Sequence, residues 1–179
     1  MKIIKAEDKE LYSYGLYQGI VHLLNFLVIL LIGFVLQMLW QSMIFTLCYS
    51  ILRSYAGGYH ARTQGKCFIL SVLMVTSVLV LLMIIPSSTV LILTLLGISY
   101  CLLLSLAPVE DENKPLDDME FTIFRKKAIV ISSSLVVFST ILLLTSQKDI
   151  ALVVATSVTV ASIMVVIGLV KNYQVKRLG

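Results

Sequence analysis

The chain has 179 residues, of which 59% are hydrophobic and only 13% are charged, and its mean hydropathy is +0.98. Soluble domains carry about a quarter charged residues, so this composition excludes a water-soluble globular protein and indicates a helical membrane bundle. The formal net charge of +4 comes from cations that flank apolar runs. This placement favours a role in membrane topology over nucleic-acid binding.

The first 19 residues mix charges of both signs with leucines and tyrosines. Lysine and tyrosine side chains favour the membrane interface, so we expect residues 1–19 to form an amphipathic segment at the membrane surface. A cleavable signal peptide is not expected, because no small-residue cleavage site follows a short apolar core.

The remainder of the chain divides into about six apolar segments. Residues 20–52 contain no Asp, Glu, Lys or Arg. A single helix of that length would measure about 50 Å, whereas the membrane core is about 30 Å thick. We therefore expect a turn around residues 33–42 and a second arm, a short span or a half-helix, over about 43–55. The four later segments are Phe68–Ile85, Thr89–Leu106, Ala128–Thr145 and Ile150–Val170.

The cations indicate how these segments are oriented. If six segments cross, then both termini, residues 53–67 and a polar loop over 108–127 lie on one side, and only Lys148 of the 14 Lys and Arg residues lies opposite. The positive-inside rule makes the cation-rich side cytoplasmic. The sequence thus predicts one all-α membrane domain, residues 1–179, with both termini in the cytoplasm.

Residues 53–67, RSYAGGYHARTQGKC, form the polar, glycine-rich stretch in which chemistry is most plausible. Cys67 follows Lys66 and stands at the start of a predicted helix, and both features lower the pKa of a thiol. His60 could serve as its base. Residues seven apart lie about 10 Å from each other along a helix, whereas such a pair needs roughly 3–4 Å. The chain must therefore bend between His60 and Cys67.

Other interpretations of the titratable residues stay open. Cys67 could be an interfacial cysteine without a role, and His60 an imidazole that bonds to backbone. One His and one Cys are too few for a usual metal site, so we expect neither a metal nor another cofactor. Cys48 and Cys101 lie inside apolar runs and are expected to be buried. His22 is expected to be structural or interfacial.

The stretch also carries a family resemblance. The pattern R-x3-GG-Y-H-A-x5-C, formed by Arg53, Gly57, Gly58, Tyr59, His60, Ala61 and Cys67, resembles the accessory gene regulator B family. The segment from Ala107-Pro108 through Asn113–Leu116 resembles the conserved polar loop of that family. The resemblance, which covers nearly the whole chain, implies an integral membrane cysteine endopeptidase of Gram-positive bacteria. Such enzymes remove the C-terminal tail of a small propeptide and promote closure of a thiolactone or lactone ring, which gives a quorum-sensing signal.

The resemblance implies roles for particular residues. Cys67 and His60 match the catalytic pair of the family, and Arg53 and Gly58 match its supporting arginine and glycine, with Gly57 freeing the approach. The resemblance also implies a homodimer. Small residues of the last segment permit close helix contact, either between two chains or within one: Ala151, Ala155, Ser157, Ala161, Ser162 and Gly168.

Several neighbouring polar residues could assist. Gln64 could donate to an oxyanion, as could the backbone N–H of Cys67. Glu110 or Asp111, or the adjacent Glu112 and Asn113, could orient His60, or could belong to a solvated acidic loop.

The cations also have two interpretations each. Arg53 could bind a substrate carboxylate or could extend to lipid phosphates. The cluster Arg125, Lys126 and Lys127 could attract an acidic propeptide tail or could only set topology.

A second class of function fits the same composition. The chain could be a non-enzymatic membrane protein, such as a transporter or partner-binding component, in which residues 53–67 form a structural loop. Apart from His22, the predicted spans contain almost no ionisable residue. This argues against an ion-coupled transporter, since such pathways depend on intramembrane charges.

Overall fold

The structure is a computed structural model that describes residues 6–59, 63–110 and 117–178. Within these ranges the chain forms six helices and no β-strand, which confirms the predicted all-α bundle. The helices are α1 (Ala6–Val35), α2 (Leu39–Ala56), α3 (Gln64–Ile84), α4 (Thr89–Leu106), α5 (Asp118–Leu144) and α6 (Lys148–Leu178).

Five of these helices are long and apolar enough to cross a membrane, and the spanning stretch of α1 is Gly15–Val35. Among the described helices, α2 is not apolar enough by this measure, because polar residues are interspersed among its apolar ones. Its 18 residues nevertheless measure about 27 Å, close to the thickness of a membrane core. The chain is therefore a multi-pass membrane protein, and α2 is long enough to cross the membrane but less apolar than the five spanning stretches.

Tight turns join the helices at one end of the bundle. The α1–α2 turn places Gln37 at a φ of 55°, and the Met38 N–H donates to Gly33 O at 2.7 Å. The α5–α6 turn places Ser146 at a φ of 63°. Pro86 stands between α3 and α4, and because it has no N–H to donate, α3 ends before it. Ser87 donates to Asp149 and so ties the last two turns together.

The opposite end, here called the junction end, holds residues 57–59, 107–110 and 164–172, which contact one another. Successive helices therefore run in alternating directions, as six crossings require. The described cations follow the predicted partition, since Lys148 begins α6 at the far end. Those at the junction end are Arg53, Lys66, Arg125, Lys126, Lys127, Lys171 and Arg177. That this end faces the cytoplasm stays a prediction.

Helix α6 lies at the centre of the bundle. Of its most apolar stretch 61% is buried, against 11–22% for the other four spanning helices. It packs chiefly on α4, α2 and α5. The small residues on α6 that could have served a dimer are buried inside the chain. Their close contacts are therefore made within one chain, which was one of the two alternatives.

Large apolar side chains on the outer faces are exposed. Their number would be a liability in water, but in a bilayer these side chains meet lipid tails. Examples from five helices are Leu31, Leu47, Leu73, Val90 and Val137. Cys101 is also exposed, on the outer face of α4. The prediction that Cys101 is buried was wrong, because an apolar residue of a membrane helix can face lipid instead of the protein core.

Two polar segments continue into the apolar helices that follow them. Helix α1 continues through the expected interfacial segment from Ala6 onward, and α5 begins at Asp118, inside the expected loop 108–127. Asp118 and Glu120 occupy the first turn of α5. Carboxylates there are stabilised by the helix dipole, so polar composition did not prevent a helix.

The contact between α1 and α2 is tight enough to test by substitution. A Cβ on Gly33 would lie 2.6 Å from the Ser42 Cβ, and Ser42 Oγ donates to Ile29 O at 3.2 Å. We expect Gly33→Ala to lower the free energy of unfolding by about 1–3 kcal/mol through overpacking. Thermal unfolding in detergent measures this loss. Gly97→Ala is the control, because a Cβ there meets nothing within 4 Å; equal stability of the two variants would contradict the packing.

Candidate functional site

The site begins where the chain leaves α2 and passes between the end of α4 and the side of α6. Gly58 N–H donates to Val109 O at 3.2 Å, and Val109 N–H donates to Ala56 O at 3.0 Å. One residue later, Tyr59 N–H donates to Met164 O of α6 at 3.0 Å. The segment Gly57–Tyr59 is thus held by backbone hydrogen bonds between the residues that follow α4 and the side of α6.

These contacts require residues without a side chain. Gly57 and Gly58 have φ values of 69° and 112°, a region that side chains rarely allow. A Cβ on Gly58 would lie 2.6 Å from Met164 O, and a Cβ on Gly168 would lie 2.8 Å from Gly58 Cα. Gly168 is therefore part of this junction. Sequence reasoning assigned Gly168 only to helix packing, because its partner is 110 positions away in the chain.

Arg53 holds the same segment from the side. Its Nη1 donates to Gly57 O at 2.9 Å, and its Nη2 donates to Tyr59 O. The sequence-based alternatives, a substrate carboxylate or a lipid phosphate, stay predictions. Within the chain, the planar guanidinium bonds two carbonyls of a turn, which suits its fixed fork of donors.

The end of α6 adds two further contacts that the sequence did not suggest. Lys171 Nζ lies 5.3 Å from the centroid of the Tyr59 ring, within the range of a cation–π interaction. Asn172 Nδ2 donates to Glu110 O at 2.7 Å. Both residues lie beyond Val170, where the predicted last span ends. No motif in a single sequence would have identified them.

Cys67 lies in the first turns of α3 and is partly buried. Thr63 caps this helix, with its Oγ1 accepting from Lys66 N at 3.4 Å. The helix therefore begins at Gln64, four residues earlier than predicted. The Cys67 N–H donates to Thr63 O at 3.0 Å, so it is engaged in the helix. This amide is not an available oxyanion donor, contrary to the expectation.

Arg53 and Tyr49 lie on α2, and Cys67 lies on α3. The Tyr49 hydroxyl interacts electrostatically with both the Arg53 guanidinium and the Cys67 thiol. Gln64 stands three residues before Cys67, on the same face of α3, and is partly buried. These four residues are the described part of the candidate site.

The position of His60 lies outside the described residues, as does that of Asp111. On either side of His60, α2 ends at Ala56 and α3 begins at Gln64; the expected bend between His60 and Cys67 stays a prediction. Glu110 is exposed. Within the described ranges no three His, Cys, Asp or Glu side chains group as metal ligands.

The cation cluster of α5 lies beside the end of α2. Arg125, Lys126 and Lys127 are exposed, and Lys127 Nζ lies 4.9 Å from the centroid of the Tyr55 ring. Tyr55 also packs on Phe124, with ring centroids 5.7 Å apart. A cationic surface therefore stands two residues of α2 away from Arg53.

Comparison with known proteins identifies relatives of the chain. The family model described as AgrB, accessory gene regulator B, matches residues 1–167. The chain is 28% identical over 117 residues to AgrB-like protein 2 of Clostridium perfringens strain 13, and 29% identical over 117 residues to an AgrB-like protein of strain SM101. Each alignment covers 62% of this chain and 55% of the relative, so the chain spans about half the length of these relatives.

The alignment with a third relative covers a larger share of both chains. The chain is 30% identical over 134 residues to AgrB-like protein 1 of C. perfringens strain 13, which is 73% of this chain and 71% of the relative. No solved structure matches the chain.

The glycine junction makes a prediction about stability. Gly58→Ala combines an unfavourable φ with overlap on Met164 O, so we expect a loss of about 2–4 kcal/mol in the free energy of unfolding. Thermal unfolding in detergent measures it, with Gly65→Ala as the matched control, since a Cβ on Gly65 meets nothing within 4 Å. A Gly58→Ala protein as stable as the control would show that the segment is not held as described.

Arg53 provides a second prediction. Arg53→Lys keeps the charge, but lysine lacks the planar guanidinium whose two N–H groups donate to Gly57 O and Tyr59 O. We therefore expect a loss of about 1.5–3 kcal/mol in the free energy of unfolding. Proteolysis between α2 and α3 should also become faster, because the turn loses its side support. Arg177→Lys, at an exposed site, is the control. Unchanged proteolysis of Arg53→Lys would contradict the role of Arg53 in holding the turn.

Proposed function

Because the chain belongs to the accessory gene regulator B family, we propose that it is a membrane cysteine endopeptidase that processes a quorum-sensing propeptide. The observation that carries this proposal is the family match over residues 1–167. The local arrangement supports it, since Cys67 stands in the first turns of α3, and both Cys67 and Arg53 of α2 interact electrostatically with Tyr49. The substrate is a small propeptide, cut on its C-terminal side.

The first step is formation of an acyl-enzyme. The Cys67 thiolate attacks the carbonyl carbon of the scissile peptide bond, and a bond forms from Sγ to that carbon. The carbon–nitrogen bond breaks, and the departing amine takes a proton from the His60 imidazolium. The C-terminal tail leaves, and the remaining peptide is a thioester of Cys67.

The second step closes the ring. A thiol of the same peptide attacks the thioester carbonyl, its proton passes to His60, and the Cys67 thiolate is released. One thioester replaces another, so little bond energy changes; a substrate hydroxyl would give a lactone instead. Ring closure must be faster than hydrolysis, and a positioned intramolecular nucleophile can reach effective molarities of about 10⁵ M.

Cys67 has a cation beside it in the chain. Lys66 precedes Cys67, and both lie in the first turn or so of α3, at the positive end of the helix dipole. Arg53 lies on the neighbouring helix α2. Gln64, three residues before Cys67, is the remaining candidate donor to the oxyanion, because the Cys67 N–H already bonds to Thr63.

Residues around Cys67 and His60 would shape the site and attract the substrate. Gly57 and Gly58 let the backbone pass close to α6 on its way to His60, and Arg53 holds this passage. Glu110 or Asp111 would orient His60. Arg125, Lys126 and Lys127 would attract an acidic tail of the propeptide to the end of α2. The site would open at the cytoplasmic face of the cell membrane of a Gram-positive bacterium, and the enzyme would act as a homodimer.

The test is intact mass spectrometry of the protein in lipid, incubated with the propeptide encoded beside its gene. We expect a peptide adduct on Cys67 and a released tail. Cys67→Ala should lose both, and His60→Ala should slow release of the tail by about 10²-fold or more, since the general acid is lost.

Cys101→Ala is the matched control, because this thiol is exposed on the outer face of α4, and Cys48→Ala removes the buried one. Both should process the propeptide at the rate of the unmodified chain. Normal processing by Cys67→Ala would contradict the proposal. An intact propeptide in every variant, together with retained binding, would favour a partner-binding protein without enzymatic activity.

A further inference from the structure

A groove of about 400 Å³ opens on the outer surface between the end of α2 and the first half of α5. Tyr55 lines it from α2. The other lining residues belong to α5, and their spacing of three or four positions places them along one face of that helix: Ile123, Lys126, Lys127, Val130 and Ile131. The groove therefore presents one turn with two cations between two apolar turns.

The two lysines stand where the apolar part of α5 begins. Residues 128–144 contain no Asp, Glu, Lys or Arg. As a helix these residues measure about 25 Å, close to the thickness of a membrane core. This length places Lys126 and Lys127 at headgroup depth on the junction end, and it places Val130 and Ile131 one turn deeper, among acyl chains. An amphipathic ligand in the groove would meet charge first and hydrocarbon next.

The ammonium groups of these lysines lack an acidic partner. Neither Lys126 nor Lys127 forms an ion pair with any residue that the structure describes. Lys127 Nζ lies 4.9 Å from the centroid of the Tyr55 ring, and this contact holds its stem beside the groove. The acids of α5 are Asp118 and Glu120, which stand about 9 Å or more away along the helix axis. The cationic turn of the groove thus suits an anion from outside the described chain.

From these observations we propose that the groove binds an anionic phospholipid. Its phosphate accepts hydrogen bonds from the ammonium groups of Lys126 and Lys127, and one acyl chain lies along Val130 and Ile131. Basic pockets between membrane helices on the cytoplasmic side are typical sites for anionic headgroups, and the junction end is predicted to be cytoplasmic. The inference does not rest on the proposed function.

Other occupants fit this surface less well. A free phosphate would satisfy the lysines but would leave the apolar turn uncovered. An extended peptide in the deeper turn would bring backbone N–H and C=O groups to Val130 and Ile131, whose side chains offer no hydrogen bond. Arg125 does not line the groove, so this cation stays available to an acidic tail of the propeptide.

The first experiment measures lipid binding by native mass spectrometry. The purified protein in detergent is mixed with phosphatidylglycerol or with phosphatidylcholine of the same acyl chains. We expect phosphatidylglycerol to bind roughly tenfold more tightly, and Lys126→Gln and Lys127→Gln each to weaken its binding roughly three- to fivefold. Arg125→Gln is the matched control, because it removes an adjacent cation outside the groove, and it should have little effect. Equal binding of the two lipids, or an equal loss in Arg125→Gln, would overturn the inference.

The second experiment tests the apolar part of the groove. Val130 and Val137 are similarly exposed on α5, at 56% and 57%, but of the two only Val130 lines the groove. We expect Val130→Phe, which fills the groove, to weaken phosphatidylglycerol binding roughly fivefold, whereas Val137→Phe leaves it unchanged. Melting temperatures without lipid should agree, because both side chains lie outside the packed core. Unchanged binding by Val130→Phe would overturn the inference.

Competition identifies the occupant. Glycerol 3-phosphate carries the phosphate without acyl chains, and a polyglutamate peptide carries carboxylates without apolar groups. Neither should displace phosphatidylglycerol at equal concentration. Displacement by either one, or a protein dimer that excludes the lipid and separates in Lys126→Gln, would assign the groove to that partner and overturn the lipid site. Processing of the propeptide is measured separately, so the lipid site and the proposed function can fail independently.

Discussion

The close approach of backbone to backbone at the junction end is the constraint on which the rest of the site depends. Gly58 and Tyr59 donate to Val109 and Met164, which belong to two distant parts of the chain. This approach is possible because Gly57, Gly58 and Gly168 have no Cβ where one would overlap a neighbouring main chain. The passage that leads from α2 towards His60 is consequently anchored to the most buried helix of the bundle.

The central position of α6 explains how the anchor is maintained. A run of eight residues, 151–158, is buried on every side. Apart from Leu152, these residues are small or β-branched, so neighbouring helices can pack close to the run. Van der Waals packing is the main attraction between helices in lipid, where the hydrophobic effect does not distinguish protein from solvent. Helix α6 thus holds α2 and α4 in the relation that the glycine junction requires. A dimer, if formed, would use other surfaces.

Polar side chains within the bundle fall into two groups. Most of the hydroxyls described donate to a carbonyl of their own helix, as Thr140 and Ser134 do. These hydroxyls therefore need no hydrogen-bond partner on another helix. Ser99 and Thr159 bond to each other between α4 and α6. Asn25 Oδ1 and Thr46 Oγ1 follow neither pattern among the described residues, since both are buried without a hydrogen-bond partner.

The sequence by itself determined the all-α membrane class and the turns after α3 and α5, because apolar runs between polar breaks permit little else in lipid. It also identified Cys67 and Arg53 as members of one motif, and this motif pointed to the accessory gene regulator B family. Tertiary structure decided that Arg53 bonds to two carbonyls, that Gly168 and Asn172 join the junction, and that Cys101 faces outward. It also decided that Tyr55 of α2 and Lys127 of α5 line one groove. Such facts depend on which helices are neighbours. The sequence of an apolar helix does not reveal which of its faces contacts lipid and which contacts protein.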